Sequence, residues 1–116
     1  MKIYIMRHGQ ASLQANTDAE RQLTGTGRED SAKVAQWLSQ FEPSLDCVLF
    51  SPYVRAAQTW DVICNFFDTG TVEVCKDITP YGDADDVADF LLALQGQHDY
   101  ETMLIVSHLP VVSYLV

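Results

Sequence analysis

Two histidines and two arginines follow directly on short apolar runs. Arg7-His8-Gly9 comes after residues 2–6, Ser51-Pro52 and then Arg55 after residues 47–50, and Ser107-His108 after residues 102–106. Guanidinium forks pair bidentately with phosphoryl oxygens, and a neutral imidazole can attack phosphorus. That set is the composition of a phosphate site. A lone histidine after a strand is more often structural or on the surface, and His98, in the polar stretch 95–101, is read that way. His8 and His108 differ, because two structural accidents at the same edge are less economical than one site.

The elements that must position these groups alternate. Residues 2–6, 47–50, 72–75 and 102–106 read as strands, the third near an edge because Glu73 and Lys76 interrupt it. Residues 10–22 read as a loop facing the site. Thr24 offers a helix N-cap, and Val34, Leu38 and Phe41, with Trp37 alongside, mark the apolar stripe of a helix ending near Gln40. A second helix over residues 54–67 carries Ala56, Trp60, Ile63 and Phe67 on one stripe, and residues 68–71 read as a turn. A third helix spans residues 83–94. Asp83, Asp85, Asp86 and Asp89 in its first turns complement the helix dipole and lack the ligand spacing of a calcium loop, so no metal is expected. A fourth helix begins at Pro110. This alternation predicts an α/β domain, a three-layer α/β/α sandwich with a mostly parallel sheet, whose functional residues gather at the carboxyl ends of the strands.

Composition narrows the rest. The chain has 116 residues, 47% hydrophobic and 20% charged, which suits one folded domain over residues 1–116. Seven Lys and Arg against sixteen Asp and Glu give a net charge of −9. Nucleic acid is disfavoured as a partner, and an anionic substrate needs a local positive cleft inside a negative field. No apolar run approaches the ~20 residues that span a membrane, so a cytoplasmic, membrane-free protein is expected. Cys47, Cys64 and Cys75 have no paired spacing and read as reduced, mostly buried thiols.

Four segments in order resemble the histidine phosphatase superfamily, the phosphoglycerate-mutase-like proteins. They are Met6-Arg7-His8-Gly9, Leu23-Thr24-Gly25-Thr26-Gly27, the run Ser51-Pro52-Tyr53-Val54-Arg55-Ala56-Ala57-Gln58-Thr59, and Val106-Ser107-His108. Short length, the segment Ile78-Thr79-Pro80-Tyr81-Gly82-Asp83 and the segment Ser107-His108-Leu109-Pro110-Val111-Val112 are similar to the small SixA-type phosphohistidine phosphatase branch. The resemblance implies a hydrolase without cofactor or metal. His8 would be the nucleophile, and Arg7, Arg55 and His108, with Gly9, would surround the phosphoryl group. The two arginines should lower the pKa of His8, and a bound dianion should favour the charged form of His108.

Many members of the superfamily carry an acidic general acid where this chain has Pro80. An alkoxide leaving group needs that proton more than the nitrogen of a phosphohistidine does, so the substrate implied is a phosphorylated protein, either a histidine-containing phosphotransfer domain or a phosphocarrier. Asp83 or Asp85 is the alternative source of a proton. The competing readings are a small phosphomonoester phosphatase or mutase, and a catalytically weak phosphate-binding module. Members of the SixA-type branch continue beyond the second histidine. A C-terminally truncated domain is therefore expected, with an apolar patch over residues 111–116 through which copies could self-associate.

Overall fold

A computed structural model describes residues 2–80, 84–97 and 99–108. Four strands, β1 (Lys2–Arg7), β2 (Ser44–Phe50), β3 (Asp68–Val74) and β4 (Thr102–Ser107), alternate with three helices, α1 (Gly25–Ser39), α2 (Val54–Ile63) and α3 (Ala84–Gln97). All pairings are parallel, in the spatial order β1-β4-β2-β3. The expected parallel sheet is present, and the interrupted strand lies at its edge.

The order explains the layers. The chain moves the same way across the sheet from β1 to β2 and from β2 to β3, then reverses to insert β4 between β1 and β2. Right-handed crossovers put connections of the same sense on one face and the reversed one on the other. Accordingly Ala35 and Leu38 of α1 and Ala56, Trp60 and Ile63 of α2 pack with Leu45, Val48, Leu104 and Val106. Val87 and Leu91 of α3 pack on the opposite face with Cys47, Leu49, Met103 and Ile105. Strand β4, inserted between two neighbours and covered on both faces, is buried along all six residues, which is why its sequence is apolar without alternation.

Three details differ from expectation. Residues 68–71 are not a turn. They open β3, paired Ser44↔Asp68 and Leu45↔Thr69, and the chain reverses earlier in a 3₁₀ turn at Cys64–Phe66. The buried face of α1 is also not the stripe of large residues. Gly27, Ser31, Ala35 and Leu38 face inward, while Val34, Trp37 and Phe41 are exposed. The small residues Gly27 and Ser31 let the backbone of Gly9 and Gln10 lie directly against α1. Third, the loop 10–22 is organised. Ala11 bridges Leu23, Ser12 N–H donates to Gln22 O at 2.7 Å, and Asp18–Glu20 forms a 3₁₀ turn.

The expected helix cap and free thiols are present. Thr24 caps α1 by accepting from Gly27 N–H at 3.0 Å. The cysteines are free, Cys47 and Cys75 buried and Cys64 half-buried. No helix among the described residues is long and apolar enough to cross a membrane. His98, Asp83 and the apolar segment 111–116 lie outside the described residues.

Candidate active site

Register brings the two histidines to one height. Arg7 pairs with Ser107 and Phe50 with Val106. His8, His108 and Ser51 therefore stand just beyond the ends of three adjacent strands. The ladder continues into this row, since His8 N–H donates to Ser107 O at 3.0 Å and Ser51 N–H to Val106 O at 3.1 Å. The rings of His8 and His108 come within 5.0 Å, centroid to centroid. Arg55, in the first turn of α2, reaches the same place from the α1–α2 face.

The tautomer of His8 follows from its partners. Its Nδ1 lies 2.6 Å from Gly9 O, and a carbonyl only accepts, so Nδ1 carries the proton. The lone pair is on Nε2, where Arg55 Nε–H donates to it at 3.2 Å. Burial lowers the pKa of His8, and Arg55, Arg7 and Arg21 push it further the same way, against the Gly9 hydrogen bond. The ring is therefore a neutral base, as a nucleophile must be, and its electron pair is covered by Arg55 until that hydrogen bond is released. The expected direction is right, but burial outweighs the arginines as the cause.

His108 is made differently. It is 1% exposed, and its Nε2 lies 2.6 Å from Ser51 Oγ. Tyr53 N–H donates to that same oxygen at 3.2 Å, so the Ser51 hydroxyl proton is available for His108 Nε2. In the tautomer in which Nε2 accepts from Ser51, Nδ1 carries the ring proton; Nδ1 is a buried atom without a partner among the described residues. Burial, with smaller contributions from His8 and Arg55, lowers the pKa of His108 to about 3. In the free protein it is a neutral ring rather than a cation. The Tyr53 ring packs edge-on against it at 5.1 Å and also sits under the Arg55 guanidinium at 5.1 Å.

Arg7, His8, Gly9, Gln10, Ala11 and Arg21 line an open cleft of about 360 Å³, within the range of ligand-sized sites. Arg7 is exposed at the end of β1, on the wall of this cleft. Both backbone groups of Gly9 are engaged inside the protein, the carbonyl by His8 and the N–H by Thr59 Oγ1 at 3.2 Å. A Cβ on Gly9 would meet Gly27 O at 2.5 Å and Ser31 Oγ at 2.7 Å, and one on Gly27 would overlap the backbone of Gln10. Only glycines allow the histidine loop to touch the start of α1.

The structure thus brings Arg7, His8, Gly9, Arg55 and His108 to one end of the sheet. Sequence reasoning missed Asp18, Arg21, Ser51, Tyr53, Gln58 and Thr59. The last four were visible inside the Ser51–Thr59 segment. Gln58 Oε1 accepts from Leu23 N–H at 2.8 Å and Thr59 Oγ1 donates to Arg55 O at 2.8 Å, so that segment also ties together the loops around the cleft. Asp18 and Arg21 had no comparable signal. Asp85 is exposed in the first turn of α3. Among the described residues no group of three or more His, Cys, Asp and Glu side chains could hold a metal ion.

A parallel α/β sheet with two imidazoles and two guanidiniums at its carboxyl end defines a protein of the phosphoglycerate-mutase-like fold class. The family model of the histidine phosphatase superfamily (branch 1) matches residues 3–79, and the chain belongs to that family. Over its whole length it is 42% identical to the phosphohistidine phosphatase SixA homolog of Haemophilus influenzae, covering 75% of that protein. It is 38% identical to phosphohistidine phosphatase SixA of Escherichia coli, again over its whole length, covering 72% of that protein. A solved structure of the protein histidine phosphatase SixA complexed with tungstate superposes on 99% of this chain and 74% of its own, with a TM-score of 0.93 at 38% identity. These similarities set the chain in the SixA-type branch, and it is a phosphatase.

Proposed function

We propose that the chain removes the phosphoryl group from a phosphohistidine carried by another protein, through a phosphorylated His8. The observation that carries this reading is the pair of neutral rings. His8 carries a lone pair on Nε2, and 5.0 Å away His108 is a buried neutral ring whose Nδ1 has no partner among the described residues.

In the first step His8 Nε2 attacks phosphorus in line as the P–N bond of the substrate breaks, and the departing imidazole takes up a proton from solvent water in the open cleft. In the second, water attacks the phosphorus of phospho-His8, releasing inorganic phosphate and regenerating the ring. The charge on the three transferring oxygens is spread over Arg7 and Arg55, with His108 Nδ1–H as a further donor. Gly9, without a side chain, lets the loop that carries His8 rest against the start of α1. No general acid is assigned. Pro80 cannot supply a proton, and Asp18 is held ionised, since the hydrogen bond from Arg21, joined by that from Arg55, keeps its carboxyl below the usual carboxylate range. Loss of an imidazole tolerates this better than loss of an alkoxide. The names of the relatives support the same substrate class, and an open cleft suits a protein-borne side chain. A histidine-containing phosphotransfer domain or a phosphocarrier is the partner that fits.

The test is release of phosphate from such a protein phosphorylated on histidine, by wild type and by His8→Ala. Equal slow release by both would overturn the mechanism. Turnover of sugar phosphates with none of phosphohistidine would select the phosphomonoesterase reading. Phosphate binding without an acid-labile phosphoenzyme would select a binding module.

A further inference from the structure

We propose that Asp18 is a positioning residue of this site, which aims Arg55 at the nucleophile at the expense of affinity for phosphate. The proposal rests on the function given above. Arg55 is 4% exposed, and each of its three nitrogens donates to a partner within the fold. NH1 donates to the Asp18 backbone carbonyl at 2.6 Å, NH2 donates to Asp18 Oδ2 at 3.2 Å, and Nε donates to His8 Nε2 at 3.2 Å. One residue therefore holds both terminal nitrogens of the guanidinium, and the third, Nε–H, covers the His8 lone pair until attack on phosphorus releases it toward the transferring oxygens.

The other carboxylate oxygen, Oδ1, accepts from Arg21 NH1 at 3.1 Å, and Arg21 Nε is fixed on Ser12 O at 2.9 Å. Asp18 is thus anchored in turn, through Arg21, to the backbone of its own loop. The result is a continuous chain of hydrogen bonds, Ser12–Arg21–Asp18–Arg55–His8. A buried guanidinium without a carboxylate is costly and would turn to find other acceptors. Fixing it in advance removes reorganisation from the reaction step, which is where oriented donors accelerate transfer.

The same geometry carries a cost. Asp18 is an anion bonded to the guanidinium that an incoming phosphoryl group must use. It opposes ground-state binding of a dianion by charge and by competition for the NH2 donor. Orientation and repulsion act on different constants, and that separates this role from a structural one. A residue that merely holds the loop would, when removed, weaken phosphate binding and turnover together.

The experiment measures kcat on a histidine-phosphorylated phosphotransfer protein and competitive inhibition by inorganic phosphate, for wild type, Asp18→Asn and Asp18→Ala. Thermal unfolding of each verifies the fold. Asp18→Ala should lower kcat by about 10²-fold, the scale of a misplaced catalytic group. Its inhibition constant for phosphate should stay level or fall. Asp18→Asn, which keeps one oxygen for one arginine, should recover part of the turnover. Unchanged kcat in Asp18→Ala overturns the proposal, and so does a loss of phosphate affinity parallel to the loss of turnover. If wild type itself releases no phosphate from phosphohistidine, the functional reading fails instead. In that case phosphate binding alone still tests Asp18, because weaker binding by Asp18→Ala contradicts the opposition described.

Discussion

His8 and His108 lie 5.0 Å apart at the ends of adjacent strands, yet their surroundings could hardly be less alike. His8 is half-buried on a cleft wall, with one nitrogen on a carbonyl and the other under a guanidinium. His108 is buried, with one nitrogen on a serine hydroxyl and the other without a partner among the described residues. Both pKa values are lowered, so both rings are neutral at pH 7. The difference lies in what each neutral ring offers: an electron pair from His8, a proton on Nδ1 from His108. A carbonyl and a hydroxyl, as the sole partners of one nitrogen each, are enough to make one residue type do two jobs.

The sharpest way to break this division is to remove each ring. His8→Ala should lower turnover by about 10⁵-fold and abolish acid-labile phosphate on the protein, because no other nucleophile replaces it. His108→Ala should cost about 10²- to 10³-fold in kcat, the scale of a lost transition-state donor, and should still form the phosphoenzyme slowly. If His108→Ala were never labelled, the two rings would not divide the work as described.

Acid should expose the shared neutrality. Each ring has a lower pKa in the folded chain than in the unfolded one. Below about pH 6.5 the unfolded chain binds more protons, so stability falls by up to about 1.4 kcal/mol per pH unit for each ring. The loss due to His108 continues until the folded ring also protonates, near about 3. Denaturant titrations between pH 7 and 4 measure it, and His108→Gln should flatten the slope. The acid limb of turnover should likewise lie below the ordinary histidine value. The smallest effect expected is from Ser51→Ala. It strips the hydroxyl from a buried ring nitrogen, so about 1–3 kcal/mol of stability should go, with a smaller loss in kcat than His108→Ala. A Ser51→Ala variant as slow as His108→Ala would mean that the hydroxyl sets the tautomer outright.

Much of this was legible in the residues. The strand-end positions of Arg7, His8, Arg55 and His108 were readable because a parallel sheet puts its strand ends together. The β4 strand was readable because burial on both faces leaves an unbroken apolar run. Asp18 and Arg21 were not, because ion pairs in a polar loop leave no periodic trace and depend on where a distant helix brings Arg55. The inward face of α1 was misread because contact with the Gly9–Gln10 loop selected small side chains at Gly27 and Ser31, and the large residues Val34, Trp37 and Phe41 were left outside. The start of β3 was misread because Asp68, Thr69 and Gly70 have turn-like side chains and strand-like pairing.

The contact of Gly9 with Gly27 has a further consequence. With no side chain between them, the backbone of the nucleophile loop rests directly on the first turn of α1. That helix acts as a gauge block, setting the height of His8 above the sheet with no slack to be taken up by a rotamer. A library randomised at positions 9 and 27 should return glycine alone at both. Any ligand or mutation that lifts the start of α1 would then be felt at the nucleophile as a displacement of equal size.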